Sequence, residues 1–182
     1  MAAIPVRERT RRDIVNEAIR LFGTKGYAAT SLQDIASAVG CSKATVLYHF
    51  NGKPGVLASV LEPPTQQLAA LVAEAATLPP AQAQEHAATA FIELSVQARG
   101  LITVLNEIIP ILGEQPEFSG LLALGEQLLG LLAGTDDELE LAMARYALNG
   151  MLAECRDPAN RPDDELRLIC RTAMSRLLPA LS

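Results

Sequence analysis

Thr30–Lys53 reads TSLQDIASAVGCSKATVLYHFNGK, and this stretch decides the fold of the N-terminal third. Leu32, Ile35, Ala36 and Val39 recur at helical spacing and define one apolar face. Thr30 or Ser31 can cap this helix, and Thr30 with Gln33 has capping-box spacing. Gly40 is free to take a positive φ and end it. Ser42 is placed to cap a second short helix, in which Val46 and Phe50, four residues apart, turn inward. Lys43, Ala44 and Thr45 then fall near the N-terminus of that second helix.

Upstream, Ile14, Val15, Ala18, Ile19 and Phe22 form an apolar stripe of helical period, closed by Lys25-Gly26 with Gly26 as a left-handed stop. Three helices are therefore expected within the first fifty residues. Two short helices around a glycine turn, followed by Tyr48, His49, Phe50 and Lys53, have the pattern of a helix-turn-helix. In that motif the first residues of the second helix meet base edges in the DNA major groove. Lys43 can donate to guanine O6 and N7, and Thr45 can use its hydroxyl or methyl. Ala44 lies beside them, with Ser42 and Gln33 as further candidates.

At these residues the chain resembles the tetracycline-repressor (TetR) family of transcriptional regulators. The matching pattern is an Arg-rich start with Ile14, Ala18 and Phe22, then Gly26-Tyr27, Thr30, Asp34-Ile35-Ala36, Gly40, Ser42, Thr45, Tyr48-His49-Phe50 and Lys53. It covers the first third of the chain. The resemblance implies that Tyr48, His49 and Lys53 bind phosphates, as do the caps Thr30 and Ser31. There are two departures. The family usually has Tyr seven residues after the turn glycine, where this chain has Leu47; and it usually has Lys-Glu where this chain has Lys53-Pro54-Gly55. Proline suits a first helical turn.

The composition agrees with helix throughout. Of the 182 residues 49% are hydrophobic but only 4% aromatic, so Leu and Ala carry the apolar content, and both favour helix. No alternating run of strand length interrupts them, and the fold class expected is all-α. The formal net charge of −6 divides unevenly. Through Lys53 there are eight basic and four acidic residues, a net of +4, so the remainder carries −10. A basic end attracts phosphate, and an acidic body repels it and orients the molecule. Cys41, Cys155 and Cys170 have no metal-ligand spacing and form no disulfide framework, which fits a reducing cytoplasm. The N-terminus is basic without an apolar core region, so no secretory leader is expected. No stretch is long and apolar enough to predict a membrane span.

Two domains are expected, a helix-turn-helix domain over 1–53 and a helical effector-binding and dimerisation domain over 54–182. The second opens with a helix from Pro54, which Pro63-Pro64 should kink or break. Pro79-Pro80 ends it; helical pattern returns over 84–99, over the apolar run 101–109 before Pro110, and over 118–132. The last two patterns are clearer. Leu139, Ala142, Met143, Tyr146, Ala147, Gly150 and Ala153 form a stripe, and after the loop 157–162 so do Leu166, Ile169, Cys170, Ala173 and Leu177.

In the resembled family the final two long helices pair with their copies as a four-helix dimer interface. Ala142, Tyr146, Ala147, Gly150, Ile169, Ala173 and Leu177 are the residues expected there. An apolar cavity holding a few placed polar groups is the usual small-molecule site, and Phe91, Gln97, Asn106, Tyr146 and Asn149 are the candidates to line one. No nucleophile–base pairing, metal-ligand cluster or phosphate loop stands out, which argues against a helical enzyme and implies no cofactor. The expected partners are palindromic double-stranded DNA, a small-molecule effector and a second copy of the chain. A helical ligand-binding protein with a weakened DNA-binding head is the other reading, with Leu47 as its one hint.

Overall fold

A computed structural model of the chain describes residues 5–112, 118–156 and 161–178, with the side chains of residues 103, 106 and 110–112 excepted. The loop 157–160 and the side chain of Asn106 lie outside the described residues. Among the described residues the order is α1 (Val6–Lys25), α2 (Leu32–Val39), α3 (Lys43–His49), α4 (Gly52–Ala75), α5 (Pro80–Gln97), α6 (Arg99–Leu112), α7 (Ser119–Ala133), α8 (Glu138–Glu154) and α9 (Asp163–Leu177). The fold is all-α, as the composition implied. None of the described helices is long and apolar enough to cross a membrane.

The chain forms two compact units. The first comprises residues 1–63 with 103–118, so it extends beyond the helix-turn-helix and includes most of α6. Its core is the stripe read from the sequence: Ile14, Ala18 and Phe22 on α1, Ile35 and Ala36 on α2, and Val46 and Phe50 at α3 are buried. Burying one such large side chain contributes about 1.5–3 kcal/mol. Ser31, not Thr30, is the N-cap of α2. Its hydroxyl accepts from the Asp34 N–H, and Asp34 returns the bond to the Ser31 N–H, closing a capping box with Asp34 instead of Gln33 as the returning residue. Gly40 ends α2 in the left-handed region, with φ 77 and ψ 30. Gly26 ends α1 differently, at φ 87 and ψ 157, a region open essentially to glycine.

α4 runs through Pro63-Pro64 as one continuous helix and does not break there. Each proline removes one helical N–H, but the stripe is buried on both sides of the pair: Val56, Leu57, Val60 and Leu61 before it, Leu68, Leu71, Val72 and Ala75 after it. The boundary between the two units falls at this pair.

The second unit comprises residues 64–102 and 119–182. α5 packs on α7 and α9, and α8 packs on α7 and α9. Ala144, Ala147, Met151 and Cys155 of the α8 segment and Leu166, Cys170, Met174 and Leu178 of the α9 segment recur every three or four residues and enter one buried cluster. Cys155 and Cys170 are both buried in this cluster. Polar groups close the helix ends. Buried Gln84 donates to the Leu132 carbonyl at 2.6 Å, where α7 runs out of helical partners. The Arg99 guanidinium donates to Asp163 Oδ1 at 2.6 Å and to the Arg161 carbonyl at 3.0 Å.

Candidate nucleic-acid interface

α3 is short because Ser42 starts it and Phe50 stops it. The Ser42 hydroxyl accepts from the Thr45 N–H at 3.0 Å, and Phe50 leaves helical geometry to fill the core. With Val46 and Phe50 inside, Lys43, Ala44, Leu47 and Tyr48 are exposed on the outer face, while Thr45 and His49 are half-buried. Thr45 Oγ1 lies 2.9 Å from Ser42 Oγ, so both hydroxyls sit at the helix start. On α2 Gln33 is exposed and donates to Ser37 Oγ at 3.3 Å.

The basic start of α1 lies over this cluster. The Arg7 guanidinium sits 5.4 Å from the Tyr48 ring centroid, and that of Arg11 sits 5.3 Å from the Phe50 centroid while donating to Ser59 Oγ. In the sequence these arginines stand out as positive charge and as the Arg-rich start of the family pattern. Their spacing of four, one helical turn, was the available signal that they share a face.

Two residues expected at phosphates turn inward. Thr30 is 1% exposed, and its hydroxyl donates to the Gly26 carbonyl at 2.8 Å. The Lys53 ammonium donates to the carbonyls of Thr30 at 2.8 Å and Ala28 at 3.2 Å, and it stands 4.4 Å from the Tyr27 ring centroid. Burial pulls Lys53 below the ordinary lysine value, while the charge of Glu107 opposes that shift. Both side chains hold the turn between α1 and α2. The family motif places them in the head but says nothing of which way they point. Glu107, eighty residues downstream, joins the same turn: its carboxylate accepts from the backbone N–H groups of Tyr27 and Ala28, each at 2.7 Å. No local signal in the sequence marks it.

Asp34 carries a testable consequence of the capping box. Donation by the Ser31 hydroxyl, then by the Ser31 backbone, holds its carboxyl at about 2. A carboxyl with a lowered folded pKa contributes stability that is complete above its unfolded value, about 3.9, and is lost as the pH falls through 2. Asp34→Asn is therefore expected to flatten the acid limb of the unfolding curve between about pH 4 and pH 2. Circular dichroism at fixed temperature checks this; acid limbs that superimpose would remove the capping box from the acid response.

In the second unit the expected ligand residues do not converge. Phe91 is half-buried against the core, Gln97 is exposed on a groove shared with Glu74 and Glu93, and Tyr146 and Asn149 are exposed on α8. A different cleft, of about 460 Å³, lies among Val72, Ala75, Leu78, Ala83, Gln127 and Leu131, with no charged side chain on its wall. The expected interface residues separate as well. Tyr146 is 72% exposed, Gly150 and Ala173 are exposed, and Ala142, Ile169 and Leu177 are half-buried. Ala147 is the correction: at 4% exposure it belongs to the core of its own subunit, because it falls on the row with Ala144 and Met151. Leu139 and Leu168, on the same two helices, are large exposed apolar residues.

This architecture is that of a helix-turn-helix head carried by a helical body. Residues 14–60 match the family described as bacterial regulatory proteins, tetR family. Over 49 residues the chain is 47% identical to the uncharacterized HTH-type transcriptional regulator YerO of Bacillus subtilis, covering 27% of this chain and 17% of YerO. Over 43 residues it is 46% identical to IcaR of Staphylococcus aureus, the HTH-type negative transcriptional regulator of the biofilm operon icaADBC, covering 24% of this chain and 23% of IcaR. The matches thus span less than a quarter of the length of these relatives. In fold the similarity runs over nearly the whole chain. PfmR of Thermus thermophilus superposes with a TM-score of 0.70 at 23% identity, covering 93% of this chain and 98% of PfmR. KstR2 of Mycobacterium tuberculosis, a ketosteroid transcriptional regulator, superposes with a TM-score of 0.74 at 18% identity, covering 98% of this chain and 97% of KstR2. Residues 14–60 are thus similar to the head of the tetR family of bacterial regulatory proteins, and over nearly its whole length the chain has the fold of solved TetR-family regulators.

Proposed function

We propose that the protein is a homodimeric cytoplasmic repressor, not an enzyme, that binds a roughly palindromic duplex and is released from it by a small apolar molecule. The observation that carries the DNA half is the outer face of α3. Lys43, Ala44, Leu47 and Tyr48 stand exposed together on a helix whose other side is locked into the core. In this reading Lys43 and Thr45 read bases, and Ala44 with Leu47 offers an apolar surface suited to thymine methyl groups. Tyr48, His49, Arg7 and Arg11 serve the phosphates. IcaR, similar in the head, is a negative regulator, which supports repression over activation.

Selection of a duplex from a random library, followed by footprinting, tests this reading. Two half-sites related by a two-fold axis, about 34–36 Å or a multiple of one turn apart, are expected. Affinity should fall steeply with salt, as counterion release requires. A protein whose head has lost DNA binding would select nothing even at low salt.

The effector half rests on the uncharged cleft of the second unit. Its volume lies within the range of ordinary ligand sites, and its wall favours an uncharged, mostly apolar molecule with one group for the Gln127 amide. Gly130 borders the cleft, and a Cβ built there meets nothing within 4 Å. Gly130→Leu therefore adds its Cβ without a clash and is expected to narrow the cleft and to stabilise α7 by about 0.8 kcal/mol through helix propensity. The variant should melt higher and bind the neutral dye Nile red several-fold more weakly. Unchanged dye affinity would place the effector site elsewhere.

A further inference from the structure

We propose that Glu107 is a positioning residue for the DNA-binding head: from α6 it holds the turn that sets the start of α2. This rests on the DNA-binding reading of the head. Both carboxylate oxygens are used, Oε2 by the Tyr27 N–H and Oε1 by the Ala28 N–H, each at 2.7 Å. Consecutive backbone donors converging on one carboxylate make charge-assisted bonds, roughly twice as strong as neutral ones. The turn is shaped to receive it. Gly26 takes φ 87, which L side chains rarely adopt, and a Cβ there would lie 3.0 Å from Glu107 Oε2, so that the carboxylate would have to shift to admit it.

The other polar groups of the turn are held from the head itself. The Ala28 and Thr30 carbonyls accept from Lys53, the Thr30 hydroxyl donates to the Gly26 carbonyl, and the Tyr27 ring packs edge-on against Phe22. Lys53 thus gathers the carbonyls and Glu107 gathers the N–H groups. Of the two, only Glu107 reaches the turn from the C-terminal two thirds of the chain. Ser31, the cap of α2, follows immediately, and α2 packs on both α1 and α3. α6 itself begins at Arg99, whose guanidinium is bonded to Asp163 and the Arg161 carbonyl at the first turn of α9. Without Glu107 the turn samples more conformations, and DNA binding bears the cost of ordering it.

The test uses a duplex selected by the wild-type protein, with affinities of wild type, Glu107→Ala and Glu107→Gln measured by fluorescence anisotropy across a salt series. Hydrogen exchange follows the amides of Tyr27 and Ala28. Glu107→Ala is expected to bind about tenfold more weakly, less than the two lost bonds together are worth because only the cost of ordering the turn reaches DNA binding. Its salt slope should stay that of wild type because no phosphate contact is removed. The two amides should exchange faster, and Glu107→Gln, which keeps acceptor oxygen without charge, should fall between. Equal affinities, or unchanged exchange at Tyr27 and Ala28, would overturn the proposal. So would a drop in affinity accompanied by a shallower salt slope or by melting of the whole chain, since those mark a lost phosphate contact or a lost fold. A wild-type protein that selects no duplex would instead overturn the DNA-binding reading, and this proposal with it.

Discussion

Ala173→Glu is expected to leave the protein monomeric with its fold intact. Ala173 is exposed on α9, and so are Tyr146 and Gly150 on α8 and Leu168 on α9. Tyr146 and Leu168 leave large apolar surface to water at 72% and 66% exposure, which is the kind of surface that marks an interaction site. Small residues at Ala142, Gly150 and Ala173 permit close helix approach. A glutamate placed on a two-fold seam enters twice and has no partner, and an unpaired buried charge costs on the order of 3–5 kcal/mol. Sedimentation velocity at micromolar concentration should show the monomer, with helical circular dichroism retained. A stable dimer of the variant would move the interface off this face. Ala147→Glu cannot serve the same purpose: Ala147 is buried among Ala144, Met151 and the residues of α9, so the charge would unfold the subunit that carries it.

The second large effect is expected at Lys43. A well-made base contact discriminates by about 1–3 kcal/mol, and a dimer makes it twice, so Lys43→Ala should weaken binding to the selected duplex by about a hundredfold or more. The same variant should lose preference at one position of each half-site. Lys53→Ala is the contrast. Its ammonium is committed to the Ala28 and Thr30 carbonyls, so the substitution should loosen the turn and lower the melting temperature of the head, while the salt slope stays close to wild type. Anisotropy titrations against a panel of single-base variants separate the two. If Lys43→Ala kept the wild-type preference at every position, base reading would have to pass to Thr45, Ala44 and Leu47.

The head was legible because its signals are local. Ser42, Val46 and Phe50 lie within one short helix, and Gly40 needs only its own φ, so capping, spacing and a turn residue suffice to place α3. The same locality limits what can be read. Thr30 and Ser31 are both capping residues, and which one starts α2 depends on whether Gln33 or Asp34 returns the bond; the structure selects Ser31 with Asp34, leaving the Thr30 hydroxyl for the Gly26 carbonyl. The prolines of α4 carry a strong local penalty, and burial on both sides outweighs it.

The all-helical character, the capped helix-turn-helix and the charge asymmetry followed from the sequence by itself, because periodicity, caps and charge act between residues a few positions apart. Tertiary structure alone decided which way each side chain faces and what meets it from afar. It turned Lys53 and Thr30 inward, put Ala147 in the core while exposing Tyr146 one position away, and opened a cleft beside Gly130. It also brought Glu107 to Tyr27 and Ala28 across about eighty residues of chain. A hydrogen bond depends on distance in space and not along the chain, so no spacing in the sequence announces such a contact.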